Sequence, residues 1–194
     1  MANNKKNRRR TRWIAAITTW TFILAALIGI ITNYSVNRIH SLTASFIILL
    51  VVVMLGIIFD LVGTAAAAAN IAFLNAKAAR RVVGAKYGVF LVKNAEQVAN
   101  FCNDVVGDVS GVISGALSAV IVVKIITFYA HSETEFILSI LIAALVAALT
   151  VGGKAWGKII ALNHSTEVML LAGMLIEKIG EPLGWFRRKG DTAG

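Results

Sequence analysis

The chain is predicted to be all-α: a polytopic membrane helical bundle of four transmembrane helices with further juxtamembrane or interfacial helices. Three observations predict it. Hydrophobic residues make up 58% of the 194 and charged residues only 15%, with a mean hydropathy of +0.77. That balance is far from an ordinary soluble domain. Four apolar runs are each about as long as a helix needs to cross a hydrocarbon core of about 30 Å. The 19 basic residues are strongly one-sided: inner segments 1–13, 67–95 and 154–194 would hold six, five and six, leaving only Arg38 and Lys124 outside. Such an excess of Lys and Arg marks the cytoplasmic side, so both termini are expected in the cytoplasm of a multi-pass plasma-membrane protein. It also removes the need for a nucleic-acid partner to explain the formal charge of +9; the expected partner is the lipid bilayer.

Residues 1–13 read as a basic cytoplasmic tail. Residues 14–42 supply a first helix, over 14–32, and an outer loop with Arg38 and His40. A basic segment before an apolar run also describes a signal peptide, but this run is longer than usual and no clear small-residue cleavage site comes after it. A second apolar run begins at Leu42 and meets Asp60, then five alanines at 65–69. Alanine has the highest helix propensity, so one helix is expected from about 43 to about 81. The alanines read either as low complexity or as a small face for tight packing against the third span. Residues 77–95 hold Lys77, Arg80, Arg81, Lys86 and Lys93 without an acid, and Gly84 and Gly88 are expected to break the helix there. The run at 89–92 suggests a short helix lying in the interface. A fourth span is expected over 136–153. A further helix over 163–180 is too short in its apolar core to cross, and residues 181–194 form a second basic tail, with Trp185 and Phe186 as interface anchors.

The third span, 103–123, carries the chemistry. At about 100° per residue, Asp104, Gly107, Asp108, Gly111 and Gly115 share one face, flanked by Ser110, Ser114 and Ser118. Gly107, Gly111 and Gly115 form a doubled G-x-x-x-G, which lets another helix approach closely in lipid. An acid inside a membrane is a functional-site hypothesis by default.

Three stretches then resemble the transmembrane domain of the CNNM/CorC magnesium-transport family, over residues 43–180. Phe59-Asp60-Leu61-Val62-Gly63-Thr64-Ala65 stands where that family ends its first span. Gly107-Asp108 stands where its second span carries a glycine and an asparagine. Gly153-Lys154-Ala155-Trp156-Gly157-Lys158-Ile159-Ile160-Ala161 has the length of the motif ending its third. The family domain begins outside, so one added N-terminal helix would put the N-terminus inside, in agreement with the charges. The departures are specific. A family serine falls on Asp60, two glutamates fall on Gly63 and Lys154, and a proline falls on Gly157. No stretch corresponds to the family's cytoplasmic CBS domains, so nucleotide-regulated transport is not expected from this chain. The resemblance implies a homodimer that binds or moves a cation, Mg²⁺ or Na⁺, and admits a CBS-containing membrane partner.

A hard cation wants oxygen ligands. Asp60, Asp104 and Asp108 would supply carboxylates, at the metal if one is bound, and Thr64, Ser110 and Ser114 would supply hydroxyls. Three readings remain open: a working cation site; an internal ion pair in which Lys154 takes the place of the cation; or acids lying near the inner interface. In the second reading the protein is a non-transporting structural or regulatory subunit. No certain cofactor is implied. An enzyme is not expected. His40, His131 and His164 lie in separate segments, no nucleophile elbow, P-loop or H-E-x-x-H occurs, and the lone Cys102 reads as a packing residue.

Overall fold

The computed structural model describes residues 15–31, 34, 41–129 and 134–183, with side chains described over 15–31, 34, 41–127 and 137–178. The basic tails, the loop with Arg38 and His40, and the expected anchors Trp185 and Phe186 lie outside these residues, as do His131, Glu133 and the Glu135 side chain. The described residues are overwhelmingly helical: α1 (Ala15–Ile31), α2 (Leu42–Ala68), α3 (Ile71–Ala79), α4 (Ala85–Lys93), α5 (Ala95–Ala99), a π-helical segment (Asn100–Gly107), α6 (Asp108–Tyr129), α7 (Thr134–Asn163) and α8 (Ser165–Leu183). Among the described residues three helices are long and apolar enough to cross a membrane: Leu42–Ala68, Ala95–Thr127 and Ile137–Asn163. At 1.5 Å per residue, the 27 residues of α2 extend about 40 Å. The apolar helix α1 is shorter, at Ala15–Ile31. Outward-facing residues of α2 and α7 include Ile47, Leu50, Leu55, Leu141, Leu145 and Leu149. Exposed apolar side chains in that number suit a lipid surround and not water.

The chain forms two compact units, 1–57 with 105–153 and 58–104 with 154–194. In the first, Leu49, Val52 and Val53 of α2 pack with Val109, Ile113, Leu117 and Ile121 of α6 and Val146 of α7. Leu24, Ala25 and Ile28 of α1 lie against this core. Polar groups are satisfied locally. Ser114 and Ser118 hydroxyls donate to Gly111 O (2.9 Å) and Gly115 O (2.7 Å), and Thr150 donates to Val146 O at 2.8 Å. In hydrocarbon such back-bonding spares the side chain an unmade hydrogen bond. α6 continues past Lys124, whose Nζ donates to the buried Ser45 Oγ at 3.2 Å.

The second unit is built on small residues. Ala65 and Ala66 of α2 pack with Leu74, Ala85, Val89, Ala161, Met169 and Leu170. The alanine run therefore serves close packing, and its partners are these residues of α3, α4, α7 and α8. The expected continuous helix over 43–81 does not form. α2 ends at Ala68, and Asn70 restarts the chain as the N-cap of α3, its side chain accepting from Ala72 N at 2.9 Å. A side-chain cap of this kind outcompetes the weak preference of alanine for continuing. Gly84 does break the chain, at φ +79 before α4, but Gly88 lies inside α4. Glu177 of α8 accepts from Gly84 N at 2.6 Å, tying α8 to the start of α4. Gly173 faces the Gly84 carbonyl and Gly88 N so closely that a Cβ there would meet backbone.

Gly173→Ala is expected to destabilise by about 1–3 kcal/mol through overpacking that backbone atoms cannot relieve. Gly152→Ala, which meets nothing within 4 Å, is expected to be neutral or to stabilise by up to about 1 kcal/mol through helix propensity. Thermal unfolding in detergent separates the two.

Candidate cation site

α2 carries one buried stripe along its length, and helical phase alone decides which residues fall on it. Gly56, Asp60 and Gly63 are spaced four and three residues apart and are all buried. The carboxylate of Asp60 is thus carried to the inside by a helix whose other buried positions are apolar or small; it is 4% exposed. A charge in the middle of a membrane helix costs about 2.5–3.5 kcal/mol on insertion scales, so it needs a partner.

The facing wall comes from the π-helical segment Asn100–Gly107. A π-turn bonds i to i+5, adds a residue to the turn and shifts the phase of the helix beyond it; such turns are frequent at functional sites. Here Asn103 Oδ1 lies against Gly63, where a Cβ would overlap it, and the Cys102 Cβ is 2.9 Å from the same position. Cys102 is thus a buried packing residue. Gly63 is one turn from Asp60, and residues at that spacing on a helix have Cβ atoms about 5–6 Å apart. The Asn103 amide oxygen and the Asp60 carboxylate therefore face the same side of α2, within one compact unit. Asp60 Oδ2 and Asn103 Oδ1 are both buried without a hydrogen-bond donor.

One basic group approaches. Lys158 Nζ is 3.8 Å from Asp60 Oδ2, beyond hydrogen-bond length, and its side chain is 51% exposed. An ion pair with one half in solvent is weak. It leaves the carboxylate oxygen unbonded and does nothing for Asn103. Asp60 Oδ2 and Asn103 Oδ1 are thus two buried acceptors left without a hydrogen bond. Unsatisfied, each would cost about 1–3 kcal/mol.

Of the other expected site residues, Thr64 is half-buried, one turn beyond Asp60 on α2. Asp104 and Asp108 are exposed, and Asp108 and Lys154 both have interaction partners in the chain. Ser110 and Ser114 are buried in the other compact unit, Ser110 against Gly56. Among the described residues no three His, Cys, Asp or Glu side chains gather as a metal cluster. The structure thus brings Lys158 to Asp60, and Asn103 to Gly63 one turn along α2. Sequence reasoning passed over both: Lys158 stood only as a letter of the 153–161 stretch, and Asn103 as the first residue of the third span. Of the glycine face, Gly107 takes part in packing within the chain, its carbonyl 3.6 Å from where a Gly56 Cβ would stand. Gly111 and Gly115 meet nothing within 4 Å.

Gly63→Ala is expected to destabilise by about 1–3 kcal/mol, because the new Cβ displaces Asn103 and presses on Cys102. In an Asn103→Ala background the same substitution should cost measurably less; equal costs in thermal unfolding would remove Asn103 from the face of Gly63. Compared with protein-family models, with curated proteins and with solved structures, the chain matches none.

Proposed function

We propose that this is an integral membrane protein that binds a cation at the buried oxygens of Asp60 and Asn103, with Thr64 as a further oxygen within reach. The observation that carries the reading is that Asp60 Oδ2 and Asn103 Oδ1 are both buried without a hydrogen-bond partner. One carboxylate with neutral oxygens, and an ammonium 3.8 Å away, suits a monovalent ion such as Na⁺ better than a divalent one. Mg²⁺, which the resemblance to the CNNM/CorC family suggests, would have to keep several of its waters. Transport is the natural use of such a site in a membrane helix bundle. The charge distribution supports four spans, α1 included, with both termini cytoplasmic.

The second reading rests on Lys158. If its ammonium is the permanent counter-charge, the pair is structural and the protein is a non-transporting subunit. Thermal unfolding against Na⁺, Mg²⁺, Mn²⁺ and Ca²⁺ separates the two. An ion held only by the folded form at 100 times its Kd should stabilise by about 2.7 kcal/mol. We expect a saturable shift for one ion, abolished by Asp60→Asn and weakened by Asn103→Ala. No shift for any ion, together with a large loss of stability in Lys158→Gln, would leave only the structural pair.

A homodimer fits the open side of α6, where Gly111 and Gly115 face away from their own chain beside the 74%-exposed Val112. Gly111→Ile with Gly115→Ile sets each new Cβ where nothing lies within 4 Å among the described residues. It should convert a dimer to monomers by size-exclusion with light scattering, without lowering the monomer's folded yield. A wild-type protein that is already monomeric would remove the dimer.

A further inference from the structure

We infer that the α3–α4 surface is a docking face for anionic phospholipid headgroups. The inference rests on the membrane reading of the chain and not on the cation site. α4 is two-sided. Ala85, Gly88 and Val89 are buried against the rest of its unit. Lys86, Phe90 and Lys93, spaced four and three residues apart, form its exposed stripe, with Phe90 50% exposed between the two lysines. The turn leading into α4 continues the pattern, since Arg80, Arg81, Val82 and Val83 are all exposed. Lys77, in the last turn of α3, is half-buried, and Phe73 stands out on the same helix.

Between Ile71 and Lys93 there are five basic residues and no acid. On the flanking elements, Glu96 of α5 and Glu167 of α8 are exposed, and Glu177 is occupied in accepting from Gly84 N. The occupant must therefore be anionic. It must also tolerate an aromatic ring and a valine pair set among the cations. A lipid leaflet meets both demands: phosphates for the Lys and Arg heads, and the acyl boundary for Phe90 and Val83. A soluble polyanion meets only the first. The backbone is committed as well. Arg81 holds φ +54, a left-handed conformation that glycine would adopt without cost and that costs other residues about 1 kcal/mol or more. An arginine stands at the tight turn regardless. The platform beneath is rigid, because Gly84 is bonded to Glu177 and Gly173 packs on Gly84 and Gly88.

The test uses the full chain, purified in detergent and stripped of lipid. Phosphatidylglycerol, phosphatidylcholine and a single-stranded RNA oligonucleotide are added in turn, and the unfolding temperature is monitored. We expect phosphatidylglycerol to raise it saturably, more than phosphatidylcholine does and less as salt is raised. Arg80→Gln, Arg81→Gln, Lys86→Gln and Lys93→Gln together should abolish the preference. Singly, each should weaken apparent affinity about fivefold. Arg8→Gln, Arg9→Gln and Arg10→Gln together should leave it intact. Equal shifts with the two lipids in wild type overturn the proposal, and so does a preference that survives the quadruple variant. A shift with RNA and none with phosphatidylglycerol overturns it in favour of a nucleic-acid surface. If the quadruple variant does not fold, the single variants decide. Failure of the membrane reading itself would be seen separately, as a chain that stays dispersed without detergent.

Discussion

A carboxylate carried into an apolar helix bundle is the constraint on which the surrounding structure depends. Asp60 is on the buried stripe of α2 because of its helical phase, and a buried charge is tolerable only where its surroundings supply the interactions that water would have supplied. The half-exposed Lys158 supplies part of that. The π-turn brings the Asn103 side chain against Gly63, one turn from Asp60, with its Oδ1 buried and without a hydrogen bond.

Close helix approach makes the arrangement accessible. Gly63 lets the π-turn lie on α2, Gly56 lets Ser110 approach the same helix higher up, and Gly153 lets α7 pack on Ile57. In lipid there is little hydrophobic drive between apolar helices, so association depends on such small-residue contacts and on polar groups between helices. Glycines around α4 and α8 serve the same end, those two helices being locked by Gly84, Gly88 and Gly173. On α6, by contrast, a Cβ added at Gly111 or Gly115 would meet nothing within 4 Å among the described residues, as at Gly29 and Gly152.

The long apolar helices were legible from sequence because an apolar run of that length has few other outcomes. Asp60 was legible for the same reason, as an acid inside such a run. The break at Asn70 was not, since alanine propensity argues for continuing and only the geometry of one side-chain cap decides otherwise. The face of the third span was misphased at its start. A regular helical wheel groups Asp104 with Gly107, yet Asp104 is exposed and Gly107 buried. The segment 100–107 winds with i to i+5 bonds, and that slip is invisible to a wheel. Asn103 was lost to the same slip. Lys158 was lost because Lys154 lies one turn away on the same helix face, and the rotation of α7, which no local pattern encodes, sets which of them approaches Asp60.

The claim that the Asp60 carboxylate is a cation ligand is tested most directly by infrared difference spectroscopy. The protein would be held in detergent while the cation is added and withdrawn, beside Asp60→Asn. The account predicts a shift of a carboxylate stretching band on ion binding that is absent from Asp60→Asn. A carboxylate band that ignores every ion, or a protonated carboxyl band assigned to Asp60 by its loss in Asp60→Asn, would contradict it.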